Sequence, residues 1–178
     1  MKRWILVMLL AVLLTGCEIM PPAPAPTERI EVIDIGTERE PGVARPAPGR
    51  VARQVAFPEA EYAALQRTGS GVISGRLSLN GTPGAGEIVS VAPVTTYSAE
   101  AAEQALAGRA VEPADPRARE YTHTTRTDGN GHFRLDGLPA GEFYVSGSVV
   151  DPASGERRII IRQVSLGGGQ RLEINLSR

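Results

Sequence analysis

Thr127-Asp128-Gly129-Asn130-Gly131-His132-Phe133-Arg134-Leu135, continued by Asp136-Gly137-Leu138-Pro139-Ala140-Gly141, decides the fold of this 178-residue chain. Asp128-Gly129-Asn130-Gly131 has the chemistry of a tight hairpin, since Asp and Asn bond their own backbone and glycine accepts positive φ. Strand alternation then sends Phe133 and Leu135 into a core and leaves His132 and Arg134 in water. Pro139 fixes φ before Gly141 re-aims the chain, and Gly131 and Gly141 are expected where a side chain would crowd the turn.

The same reading extends in both directions. Val72 to Leu79 places Ile73, Leu77 and Leu79 on one face and Ser74, Arg76 and Ser78 on the other, and Asn80-Gly81 closes it with a tight turn. Glu87–Val94 and Tyr121–Thr127 precede the hairpin. Glu142–Val150, Arg157–Leu166 and Gln170–Ser177 follow it, the last two joined by Gly167-Gly168-Gly169. Seven strands at short intervals, with no helix repeating between them, predict an all-β, antiparallel β-sandwich. Upstream, Glu59–Leu65 has room for one or two helical turns, and the domain is expected to run from Phe57 to the end, residues 57–178.

One stretch interrupts the strands. Between Tyr97 and Glu120 a helical segment is expected, with Ser98 as N-cap, Ala101, Ala102, Ala105 and Leu106 as its apolar face, and Gly108 as its stop. Such an insert either covers one end of the sandwich, with Leu106 and Val111 packing down, or presents a partner-binding surface.

With these residues in view, the chain resembles the carboxypeptidase regulatory-like domain. That family pairs a Thr-Asp-x-x-Gly-x-Phe hairpin with a Leu-Pro-x-Gly-x-Tyr-x-Val turn and strand, matched here by Thr127–Phe133 and Leu138–Val145. The doubled Phe143-Tyr144 departs from the pattern. Gly71–Leu77 and Gly84-Ala85-Gly86 are similar to the family's first two strands. The resemblance covers roughly residues 70–177 and implies a seven-stranded, Greek-key, transthyretin-like sandwich. More narrowly, Phe57-Pro58-x-x-Glu61-Tyr62, Pro93–Ser98 and Asp115-Pro116-Arg117 resemble uncharacterised bacterial envelope proteins that carry this domain.

The N-terminus addresses the compartment. Lys2 and Arg3 precede the apolar run Trp4–Leu14, the arrangement of a secretory signal peptide. The run is too short to span a bilayer, which needs about 20 apolar residues. Leu14-Thr15-Gly16-Cys17 resembles the lipobox of bacterial lipoproteins, implying a signal over residues 1–16 and acylation of Cys17. One acyl chain anchors weakly and two or more anchor stably. Glu18 follows where that family's inner-membrane proteins typically carry aspartate, which implies the outer membrane of a Gram-negative cell. Residues 17–56 are expected to be a disordered Pro-rich tether, with polyproline II at Pro21–Pro26. Arg29–Ile35 could instead pair as a strand with another sheet edge.

Composition then excludes chemistry. The chain carries 19 basic and 20 acidic residues. Losing Lys2 and Arg3 leaves 17 against 20, a net charge of about −3, which gives no footprint for nucleic acid. Lys2, Trp4 and Cys17 are the only residues of their kinds. A mature chain therefore has no lysine for an isopeptide bond, no disulfide, and no tryptophan platform for sugar, leaving Tyr97, Tyr121, Tyr144 and a few others as the aromatic supply.

Read as a calcium loop from Asp128, the glycine position falls on Phe133 and position 12 on Pro139, so the hairpin reading stands. His123 and His132 are the only histidines and lack metal-ligand spacing. No Gly-x-Ser-x-Gly elbow occurs, and the terminal Tyr-Arg-Gly-Ser of transthyretin-like hydroxyisourate hydrolases is absent. Arg117, Arg119, Arg157 and Arg158 stand beside Asp115, Glu120 and Glu156, as on a solvated mixed-charge surface.

These observations predict a non-enzymatic binding or scaffolding lipoprotein, with Cys17 as lipid attachment and no catalytic, cofactor or metal residues. Its partners would be the membrane, through the lipid, and an envelope protein. An accessory lipoprotein of a secretion or assembly system is the alternative, and a hydrolase assembled only in three dimensions a further one. A compact pocket joining His123 or His132 with acids would favour the hydrolase, and an apolar or edge-strand patch the binding module.

Overall fold

The Asp128 carboxylate organises the Asp128–Gly131 turn of the computed structural model, which describes residues 49–178. Its Oδ1 accepts from the backbone N–H of Asn130 and of His132, each at 2.8 Å. Gly131 has φ +82°, and a Cβ there would lie 2.4 Å from the Leu77 carbonyl oxygen, so only glycine fits. At Gly141 the reason differs from the expectation: nothing crowds the position, and its φ of +154° is what favours glycine. Residues 1–16, Cys17 and Arg29–Ile35 lie outside the described residues.

In chain order the elements are β1 (Arg50–Val51), α1 (Glu59–Ala63), β2 (Gly71–Leu79), β3 (Thr82–Pro83), β4 (Ile88–Pro93), α2 (Thr96–Leu106), β5 (Ala110–Val111), α3 (Pro116–Arg119), β6 (His123–Arg126), β7 (His132–Leu138), β8 (Gly141–Val150), β9 (Arg157–Leu166) and β10 (Arg171–Ser177). The fold is mostly β, as expected. β2 is the spine of one sheet, paired with β7 and the short β3 on one side and β10 on the other. The second sheet has the order β6-β4-β8-β9 and is antiparallel throughout. Asn80-Gly81 closes the β2–β3 hairpin with φ of 49° and 83°.

The two sheets bury one core between them. Ile73, Leu77 and Leu79 of β2, with Phe133 and Leu135 of β7, face Val89 and Val91 of β4 and Phe143 and Val145 of β8. The expected alternation holds: Phe133 is buried and His132 exposed. Gly75 is also on the crowded side, since a Cβ there would stand 1.9 Å from the Ile174 carbonyl oxygen.

Five expectations need correction. The Asp128–Gly131 turn closes no hairpin, because β6 pairs with β4 in one sheet and β7 with β2 in the other, so the turn carries the chain between the sheets. The sandwich is not wholly antiparallel, because β10 runs parallel to β2, Leu172 opposite Ile73 and Leu176 opposite Leu77. The Gly167–Gly169 turn carries the chain from one sheet to the other instead of closing a hairpin, so β10 arrives alongside the first long strand. The cap of α2 is Thr95, whose hydroxyl accepts from the Ser98 N–H at 3.1 Å, while Ser98 Oγ accepts from the Thr95 N–H at 2.9 Å. Ser98 therefore closes a capping box from the third helical position.

Leu106 does not pack down but stays 60% exposed. Finally, packed chain begins before Phe57: β1 pairs in parallel with β5, and the Gln54 and Val55 amides donate to the Glu100 carboxylate at 2.5 and 3.3 Å.

Candidate functional site

Three segments distant in sequence meet beside the second sheet: Phe57–Tyr62, Pro93–Ser98 and Asp115–Arg117. Phe57 stacks on Tyr62 with ring centres 4.7 Å apart and meets the Tyr97 ring edge-on at 6.0 Å. Arg117 lies 4.1 Å from the centre of the Phe57 ring. The Asp115 N–H donates to the Tyr97 hydroxyl at 2.9 Å. Glu61 accepts from the Thr96 hydroxyl and N–H at 2.7 and 2.8 Å, which holds its carboxyl below the usual range. Burial pushes the Tyr62 phenol above its ordinary value, against a hydrogen bond donated by the Thr95 hydroxyl at 3.3 Å.

Together these residues form a second, aromatic core, separate from the one inside the sandwich. It carries α2 across the outer face of the β4–β8–β9 layer. Between helix and sheet lies a trough of about 280 Å³. Ala101, Ala102 and Ala105 line it from the helix, and Ala92, Tyr144 and Ser146 from the sheet, with Ile159 and Ile161 on the β9 side. Alanine is why the trough exists: side chains of one carbon hold the helix off the strands without filling the gap. Arg53 is the single charged residue of the lining. It is occupied, with Nε donating to the Glu112 carbonyl oxygen at 3.2 Å and Nη1 lying 3.8 Å from the Glu100 carboxylate.

Beside the trough on the same sheet lies a cavity of about 370 Å³ lined by Ile88, Ser90, Ser148 and Arg157, with Ser146 and Ile159 common to both. Strand register explains this surface. On β8, Tyr144, Ser146 and Ser148 alternate with the buried Phe143, Val145 and Val149. Ser90 stands between Thr124 and Ser146, and Ser146 opposite Ile161, giving one row of three hydroxyls and an isoleucine across four strands. Ile88 and Ile159 flank that row at 54% and 38% exposure. Arg157 is neutralised by Glu87 at 2.7 Å and also donates to the Ser148 hydroxyl at 2.8 Å.

The residues singled out in the sequence distribute as follows. His123 lies on β6 and His132 on β7, and no group of three metal-ligating side chains occurs among the described residues. His132 Nδ1 is 3.4 Å from Asp128, but both are exposed at the Asp128–Gly131 turn, where the carboxylate is engaged with the turn amides. Arg117 pairs with Glu59 and Asp115, and Arg158 with Glu156, the mixed-charge surface expected. Tyr97 is buried in the aromatic core, and both it and Tyr144 line the trough. Sequence reading missed the trough. Its signal was Ile159-Ile160-Ile161, because three successive apolar residues on a strand cannot all face one core.

No family model matches the chain. No curated protein matches it either. Among solved structures it is similar to PA1324 from Pseudomonas aeruginosa, a candidate carbohydrate-binding protein, at 31% identity and a TM-score of 0.56, over 68% of this chain and 97% of that one. It is also similar to the dioxygenase domain of a dioxygenase and carbohydrate-binding protein fusion from Streptomyces sp. SirexAA-E. There the identity is 13% and the TM-score 0.37, over 80% of this chain and 95% of that one, a likeness too slight to bear on chemistry.

Proposed function

The chain belongs to the family of PA1324 from Pseudomonas aeruginosa, and on that premise we propose that it is a non-enzymatic envelope lipoprotein whose sandwich binds saccharide on the outer face of the β6-β4-β8-β9 sheet. The observation that carries this reading is the row Thr124, Ser90 and Ser146 beside exposed Ile88 and Ile159. A pyranose has an apolar C–H face and a rim of hydroxyls, and this surface offers a counterpart to each. The lining of the two cavities holds neither carboxylate nor imidazole, which supports binding over acid–base chemistry.

The rest of the proposal follows from the sequence. The signal 1–16 and an acylated Cys17 would hold the domain at the outer membrane, with residues 17–48 as spacer. The domain would be a carboxypeptidase regulatory-like one with seven-stranded Greek-key order, supported by the Thr127–Phe133 sequence motif and by seven strands of four or more residues.

Calorimetric titration of residues 18–178 with a panel of soluble oligosaccharides tests the binding. At least one should bind, and Ser90→Ala with Ser146→Ala should weaken it by about tenfold or more, for two lost hydrogen bonds. A panel without a binder, or binding indifferent to the two serines, contradicts the proposal.

A further inference from the structure

The apolar trough and the hydroxyl-lined cavity share Ser146 and Ile159, so one ligand can lie in both. We propose that this ligand is an amphiphile, with a single alkyl chain in the trough beneath α2 and an uncharged glycosyl head over Ser90, Ser146 and Ser148. The inference rests on the saccharide reading and extends it. A sugar pushed under the helix would set its hydroxyls against the methyl groups of Ala101, Ala102 and Ala105, and unpaired polar groups there are costly. An alkyl chain matches the methyl groups of Ala101, Ala102 and Ala105 and the side chains of Ile159 and Ile161, and leaves the Tyr144 and Ser146 hydroxyls at the lining for the head.

The charges select the head group. Arg53 is bound to the Tyr97 and Glu112 carbonyl oxygens and lies beside Glu100, so it is not free to meet a carboxylate at the trough's end. Arg157 at the open end is neutralised by Glu87. An alkyl glycoside therefore fits where a fatty acid does not. Ile159, at the junction of the two cavities, is the apolar contact for the first carbons beyond the glycosidic oxygen.

The test titrates residues 18–178 with methyl, hexyl and octyl β-D-glucopyranoside, each below its micelle concentration, and with octanol. Each buried methylene contributes about 0.8 kcal/mol, so affinity should rise by up to about fourfold per added carbon until the trough is full. Ala105→Leu, which fills the slot, should abolish that gain. Ile161→Ala, which deepens it, should extend the gain to longer chains, with both variants melting as cooperatively as the parent.

Equal affinity for methyl and octyl glucoside overturns the amphiphile and leaves the saccharide reading standing. Octanol bound as tightly as octyl glucoside, or no binding of any of the four, likewise overturns the amphiphile, and the oligosaccharide panel then decides the saccharide reading alone. A chain-length gain that persists in Ala105→Leu puts the chain elsewhere and overturns the inference.

Discussion

The Arg53 guanidinium stacks 4.0 Å from the centre of the Tyr97 ring and donates to the Tyr97 carbonyl oxygen at 3.2 Å. Both side chains are buried or nearly so, Arg53 at 13% exposure. With the Glu100 carboxylate taking the Gln54 and Val55 amides, this contact fastens the first turns of α2 to the chain that precedes Phe57. The roof of the trough is thus held by residues 50–55 as well as by the sandwich.

Arg53→Ala should accordingly destabilise the domain by about 1.5–3 kcal/mol, the range for a hydrogen bond to a charged group, measured by urea unfolding. A chain beginning at Phe57 should melt below one beginning at Gly49, with faster hydrogen exchange in α2 than in β8. Equal midpoints would show residues 50–55 to be passive.

Inside the sandwich, Phe133→Ala should cost about 3–5 kcal/mol, because the ring fills the core between the sheets. His132→Ala, one residue away and exposed, should change stability little. Comparable losses from the two would refute the register of β7.

Gly75→Ala tests the parallel pairing of β2 with β10. Its Cβ would collide with the Ile174 carbonyl oxygen, and backbone cannot retreat without parting the strands. A loss above about 4 kcal/mol is expected, against about 0.5 kcal/mol for an unconstrained surface substitution. A well-folded, fully stable variant would mean that β10 does not lie there.

Those strands were legible in different degrees. Phe133 and Leu135 revealed β7 because alternation and turn residues are local signals. The partner of β10 was not legible, since no local pattern distinguishes a return along β2 from a hairpin with β9. Thr95 was overlooked because Ser98 is an equally good cap by type, and only the reciprocal bonds decide between them. The aromatic core drew on Phe57, Tyr62, Tyr97 and Tyr121, which have no common period, although the segments that carry three of them had stood out as similar to envelope proteins. The trough needed both the insert and the outer face of β9, and each is uninformative alone.

Acid should act on the Asp128–Gly131 turn through Asp128. Backbone hydrogen bonds from His132 and then Asn130 hold its carboxyl below the ordinary aspartate value of 3.8. Its stabilising contribution is present above that value and fades as pH falls through the lower folded value. Asp128→Asn should flatten this acid limb in pH-dependent melting, and an unchanged limb would show that the turn does not depend on the charge.

The central claim is that ligand lies on the outer face of the β6-β4-β8-β9 sheet, and amide chemical shifts recorded during a saccharide titration test it most directly. The shifts should concentrate at Ser90, Tyr144, Ser146 and Ile159 and along α2. Shifts confined to β2, β7 and β10, or to the Asp128–Gly131 turn, would contradict it.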